Sequence, residues 1–163
     1  MKIHRLTFSQ ILPVDPAVAW DFFSSPLNLE QITPDDMPFV VTSPFDGRTK
    51  MYAGMLITYK VAPLFGIRLD WMTEITHMEE GTYFVDEQRF GPFGLWHHCH
   101  RFETVPGGVR MTDILHYGVG YGFVGRIADR LLVARKVREI FAFRHRKAEL
   151  LFGKPAAEPG GRV

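Results

Sequence analysis

Within GPFGLWHHCHRFE, residues 91–103, three histidines, a tryptophan and the chain's single cysteine fall inside five positions. Those residue types support three chemistries. Imidazoles two apart, joined by a neighbouring carboxylate, can hold zinc or iron. An imidazole oriented by a carboxylate is a general acid/base pair. Buried imidazoles set among aromatic rings form the polar end of an apolar ligand pocket. Side chains alternate faces along a strand, so Trp96, His98, His100 and Phe102 share one side, while His97, Cys99, Arg101 and Glu103 share the other. The set with Arg and Glu belongs in solvent, which carries the first set, with two histidines, inward.

The turn after this stretch fixes what faces those histidines. VPGG, 105–108, suits a type II turn, with Pro106 presetting φ and Gly107 taking the positive value. Pairing Val105 with Gly108 then sets Phe102 against Met111, His100 against Asp113, His98 against Leu115 and Trp96 against Tyr117. A buried imidazole needs a hydrogen-bond partner, and Asp113 can orient His100 and raise its basicity. If the protein is an enzyme, His100 and Asp113 are the acid/base pair, with Tyr117 or His98 as proton donor. The preceding turn, GPFG, leaves two registers open between 83–90 and 95–103: a two-residue loop brings Glu87 to His98, and a bulge brings Asp86 and Gln88 round instead. The candidate binding set is therefore Trp96, His98, His100, Phe102, Met111, Asp113, Leu115, Tyr117, Asp86, Gln88 and, from the closing helix, Phe141. A filled core holding the same groups in a structural hydrogen-bond network is the competing reading.

Other chemistries find less support. No third histidine joins His98 and His100, because His97 points away and His116 falls on the opposite face from Asp113, so no metal is expected. GVGYGFVG places Gly120, Gly122 and Gly125 in GxGxxG spacing, but about 38 residues follow it and no second parallel strand with an acidic ribose ligand can be built from them. The glycines serve the turn from strand to helix, and no cofactor is expected. There is no GxSxG elbow, and Cys99 lies across the strand from the inward histidines.

The elements that position these residues follow from periodicity. IHRLTFSQIL alternates toward an inner set of His4, Leu6, Phe8, Gln10 and Leu12. Asp15 and Pro16 then open a short helix with Val18, Phe22 and Phe23 on one side, and LNLEQITP makes a second. Six strands follow: FVVT, MLITYKV, IRLDWMTEITHM, YFVDEQRF, LWHHCHRFET and VRMTDILHYGV, an antiparallel meander. From Arg126 to Phe152 there is no Gly or Pro, and Ile127, Leu131, Ala134, Val137, Phe141, Ala148 and Phe152 recur at near-helical spacing. Arg126, Arg130, Lys136, Arg144, Arg146 and Lys147 form the solvated face of that long helix. The expected fold is α+β: a seven-stranded curved antiparallel sheet wrapped around a long C-terminal helix, with two short helices after strand 1. The domain spans 1–152, and 153–163 is a disordered tail.

Composition bounds the rest. Aromatics reach 13% with 14 Phe, more than one core of this size requires, and the formal charge of +1 gives no bulk pull toward nucleic acid. One cysteine forms no internal disulfide, and no apolar run approaches a membrane span or a signal peptide. A cytoplasmic protein without stable membrane insertion is expected, with a homodimer among the open oligomeric states.

Element order and motif together resemble the START-like superfamily, also called SRPBCC, with the pollen-allergen helix-grip fold, in its bacterial polyketide cyclase/dehydrase-like or uncharacterised ligand-binding branch. The resemblance covers residues 1–152 and rests on VDPAVAWDFFSSPLNLEQITP, FVDEQRFGPFGLWHHCHRFE, MTDILHYGVGYGFVG and RLLVARKVREIFAFRHRK. Asp86, Gln88, Gly91, Pro92, Trp96, His98, His100, Phe102, Asp113 and Tyr117 match its pattern, and Gly120 departs from it where relatives often carry proline. The resemblance implies a hydrophobic cavity between sheet and helix, in a superfamily that includes carriers, sensors and ring-closing catalysts. Binding of a hydrophobic, ring-containing small molecule is the leading expectation. The alternatives are a cyclase, dehydratase or hydrolase using the same cavity, and an interaction module docking through the basic face of the last helix.

Overall fold

Alternation of apolar and polar residues builds β1 (His4–Leu12), which buries Leu12, half-buries Leu6 and Phe8, and exposes Arg5, Thr7 and Ser9. Asp15 then caps α1 (Pro16–Phe23): its carboxylate accepts the Ala17 N–H at 2.8 Å, and Pro16 occupies the first turn. The computed structural model describes residues 1–62, 66–120, 122, 125 and 132–155. The inward face of α1 differs from the expected one. Val18 is turned to solvent at 51% exposure, and Ala19, Trp20 and Phe23 are buried instead. The Trp20 ring decides this, because it meets Phe84 and Phe102 edge-on at 6.1 and 5.5 Å and so sets the rotation of a short helix. A 3-10 helix, Pro26–Ile32, follows where the second short helix is expected.

The meander forms as the alternation dictates: β2 (Phe39–Val41), β3 (Leu56–Val61), β4 (Leu69–Glu79), β5 (Tyr83–Phe90), β6 (Leu95–Val105) and β7 (Gly108–Gly118). With β1 they make one antiparallel sheet in the order β1-β7-β6-β5-β4-β3-β2. Gly107 takes φ +84° in the β6–β7 turn, and a side chain on Gly108 would collide with the Leu12 carbonyl. Two register irregularities between β4 and β5, at Met72/Thr73 and at Ile75/His77, add twist and curl the sheet.

The closing helix, α2 (Ala134–Phe152), buries Val137, Phe141 and Ala148. Its first expected turns, with Arg126, Ile127, Arg130 and Leu131, lie outside the described residues, as do positions 156–163 of the expected tail. Aromatic stacking pins it at two points. Phe141 lies flat on Phe8 of β1 with ring centroids 4.4 Å apart, and Phe152 meets Phe22 and Phe23 of α1 at 5.2 and 6.0 Å. Arg144 does not join the expected solvated face. It follows Phe141 by three and precedes Ala148 by four, which puts it on the stripe that faces the sheet. Among the described residues no helix is long and apolar enough to cross a membrane.

The rotation of α1 gives a direct test. Phe23→Ala should cost about 3 kcal/mol of unfolding free energy in urea titrations, and Val18→Ala no more than about 0.5 kcal/mol. Equal losses would place the wrong face inward.

Candidate functional site

Alternation along β6 carries His98 and His100 to the concave face, where they are 2% and 8% exposed. The β6–β7 register sets His100 opposite Asp113, His98 opposite Leu115, Trp96 opposite Tyr117 and Phe102 opposite Met111, as the VPGG turn requires. On the other side the irregular GPFG connection sets Asp86 opposite His98 and Glu87 opposite His97. Asp86 therefore points inward. Gln88 does not reach the histidines: its amide donates to the Phe93 carbonyl at 2.7 Å and accepts the Phe93 N–H at 3.1 Å, which holds the connection in shape.

Two carboxylates and two imidazoles thus close on one another across three strands. His98 Nε2 hydrogen-bonds Asp113 Oδ1 at 3.0 Å, and its Nδ1 lies 3.2 Å from Asp86 Oδ2. His100 Nε2 hydrogen-bonds Asp86 Oδ2 at 2.9 Å. Its Nδ1 is 3.0 Å from Asp113 Oδ1, but off the line a hydrogen bond needs, so this contact is electrostatic. The directed bond of Asp113 therefore runs to His98, diagonal to the strand register, and that of His100 runs to Asp86. Trp96 Nε1 donates to the second Asp86 oxygen at 3.2 Å. The two imidazole rings sit 3.8 Å apart, and Phe84 stacks on His100 at 4.2 Å.

These contacts set the charges. Burial opposes a charge on His98, but the Asp86 charge and the bond to Asp113 outweigh it and raise its pKa to about 9. Burial likewise opposes ionisation of both aspartates, yet the adjacent imidazoles hold Asp86 and Asp113 well below the usual carboxylate range. At neutral pH His98 is an imidazolium between two carboxylates.

The tetrad is the polar patch of a cavity of about 440 Å³ between sheet and α2. The rest of the wall is largely apolar, with Ile57, Trp71 and Ile75 from the sheet, Leu29 from the 3-10 helix, and Val137 and Ile140 from α2. Trp96, Met111 and Phe141 line it with the tetrad. Leu115 and Tyr117 are packed behind Phe141 and Val137, and Phe102 lies in the core against Trp20 and Phe23. Four residues outside the expected binding set also line the interior. Tyr59 and Trp71 both hydrogen-bond Thr73 Oγ1, at 2.6 and 3.0 Å, and Arg144 reaches in from α2. The helical interval from Phe141 to Ala148 was the signal for Arg144. Burial, then the Asp86 charge, push the Tyr59 phenol far above its usual range, so it stays neutral.

Asp86, His98 and His100 offer donor atoms within 4.8 Å of one another, a residue set that suits zinc or iron. A metal there would have to displace the proton that His98 holds and the contacts the nitrogens make to carboxylates.

No family model matches the chain, and no curated protein matches it in sequence. Solved structures do match. A protein from Chromobacterium violaceum aligns at TM-score 0.69 with 13% identity, over 91% of this chain and 96% of its own. One from Mycobacterium smegmatis aligns at 0.64 with 19% identity, over 93% and 96%. The ginseng major latex-like protein of Panax ginseng aligns at 0.63 with 14% identity, over 92% and 97%. The fold is a helix-grip fold. At these identities the likeness extends to architecture alone.

The tetrad makes a signed pH prediction. His98 has a folded pKa above its ordinary 6.5, so its contribution is complete below 6.5 and is lost as pH rises through about 9. The aspartates have depressed values, so theirs is present above their ordinary 3.8 and is lost in acid. Urea unfolding across pH should show a plateau between these limits and an alkaline decline of roughly 2–3 kcal/mol by pH 9–10. In His98→Gln the alkaline decline should vanish.

Proposed function

We propose that the protein binds a hydrophobic, ring-containing small molecule between sheet and α2, as a START-like/SRPBCC ligand-binding protein. The observation that carries this reading is the contrast within one cavity: largely apolar walls with a convergent polar patch at Asp86, His98, His100 and Asp113. Its volume falls within the roughly 300–1,000 Å³ of small-molecule sites. The aromatic walls suit rings, because Trp71, Phe93 and Trp96 already meet one another at 4.9–5.4 Å and present faces and edges to an occupant. His98, His100 and Asp113 fix the polar end. A reducing cytoplasm suits the lone Cys99, whose thiol burial pushes up and away from reactivity.

A second reading, a cyclase, dehydratase or hydrolase, draws on His98. An imidazolium at neutral pH beside a cavity can donate a proton, and His100, bonded to Asp86, can accept one. Docking through the basic face of α2 has less support. Lys136 is paired with Asp36 at 3.1 Å, Arg135 with Glu139 at 3.4 Å, and Arg144 faces inward.

Occupancy is measured by native mass spectrometry of protein purified from its host, before and after Ile140→Trp, which pushes an indole into the cavity from α2. A retained apolar compound should be lost from the variant with the circular dichroism unchanged. Undiminished retention would move the ligand elsewhere, and a wild type that is consistently empty and binds no apolar probe would end the binding reading. With a substrate in hand, His100→Ala separates the two activities: turnover falls about 100-fold or more in an enzyme, whereas a carrier loses affinity alone.

A further inference from the structure

Among the described residues Arg144 is a cation without a counterpart. It projects from the sheet-facing stripe of α2 into the cavity, and its Nε is buried with no hydrogen-bond partner. Among the described residues its guanidinium forms no ion pair within 4.0 Å and no hydrogen bond, and its Cζ lies 5.4 Å from the centroid of the Phe141 ring. The contrast with its surroundings is sharp. Lys136 at the cavity edge has Asp36, His145 has Glu149 at 3.5 Å, and both imidazoles of the tetrad have aspartates. The aspartates are already engaged, Asp86 by three donors and Asp113 by two imidazoles. Burial lowers the pKa of Arg144 and outweighs the opposing fields of the two aspartates.

A guanidinium whose Nε–H is buried and unpaired is costly to hold in an apolar wall, since that donor has lost water without replacement and the charge beside it is partly desolvated. Such a group is stabilised when an anion arrives, because a planar fork and a carboxylate make two parallel charge-assisted bonds. We infer that the cavity's occupant is an amphipathic acid, an apolar ring body carrying a carboxylate or similar anionic oxygen group, and that Arg144 receives that group. This rests on the binding reading above and adds the chemical class of the ligand. Anion recognition then comes from the helix side and the histidine–aspartate cluster from the sheet side. A molecule bridging them needs an acidic group at one point and a second polar group, such as a hydroxyl or carbonyl, at the other.

The test uses two fluorescent probes with one skeleton, anilinonaphthalene sulfonate and the uncharged phenylnaphthylamine, titrated into the full-length protein. The wild type should bind the sulfonate about tenfold or more tighter than the amine. Arg144→Met should remove that preference by weakening the sulfonate about tenfold or more while leaving the amine within about threefold, and Arg144→Lys should keep part of it. Ile140→Trp should displace both probes, which locates them in the cavity. Thermal melting of the probe-free protein supplies the independent readout. Arg144→Met should melt at the same temperature or higher, because it removes an unpaired charge, whereas a drop of several degrees would make Arg144 a structural residue and overturn the inference. Tight amine binding with no sulfonate preference, or equal weakening of both probes by Arg144→Met, overturns the inference and leaves the binding reading standing. Failure of both probes to bind the wild type overturns the binding reading and this inference with it.

Discussion

Two carboxylates and two imidazoles satisfying one another inside an apolar shell constrain much of this protein. Each of the four would be expensive to bury alone, and each is tolerable because its neighbours supply opposite charge and hydrogen-bond capacity. The arrangement needs β5, β6 and β7 in one register, since a slip of a single residue would send His98 and His100 to solvent and bring His97 and Cys99 inward. The cluster therefore fixes strand pairing at the centre of the sheet as well as the polarity of the cavity. Whether such a network stabilises the fold more than apolar residues would is a separate matter, and buried ion pairs often do not. Its clear effect is to place polar atoms at one defined point of an apolar interior.

The cavity itself follows from how α2 is held. Phe141 on Phe8 and Phe152 against Phe22 and Phe23 are contacts of large rings at separated points along the helix. Rings of that size keep the helix backbone away from the curled sheet. The side chains between them, Ile140 and Arg144, meet open volume where a tightly filled core would have apolar partners. The irregularities between β4 and β5 contribute from the other side by adding twist to the sheet. A high aromatic content thus serves two ends, anchoring the helix and lining the space beneath it.

The interior has two electrostatic poles. The sheet contributes a charge-compensated cluster, in which both imidazoles face both carboxylates and only His100 Nδ1 lacks a directed hydrogen bond. The helix contributes Arg144, which is not matched among the described residues. A cavity that combines a compensated and an uncompensated pole is selective in a way that an apolar cavity is not, because an occupant lacking the complementary group leaves the unmatched charge buried and unpaired.

Much of this was legible in the chain. Alternation predicted every strand, and Asp15-Pro16 and VPGG fixed a helix start and a turn, because local sterics and capping act over a few residues. The inward pair His98 and His100 followed from the polarity of the opposite strand face, and the approach of Asp113 from the VPGG turn, since an antiparallel ladder converts one fixed pair into all the others. What stayed closed depended on groups remote in sequence. The GPFG connection admits two registers, and the Gln88 bonds to Phe93 belong to the one that turns Asp86 inward. Trp20 rotated α1 away from Val18 through rings on β5 and β6. Arg144 reads as a surface charge by residue type, and only the packing of α2 against Phe8 aims it inside. The sequence by itself determined which side chains share a face, because that is covalent geometry. Tertiary structure decided which faces meet, which hydrogen bonds cross between strands and which charge is left without a partner, because those depend on distances between segments that local rules do not set.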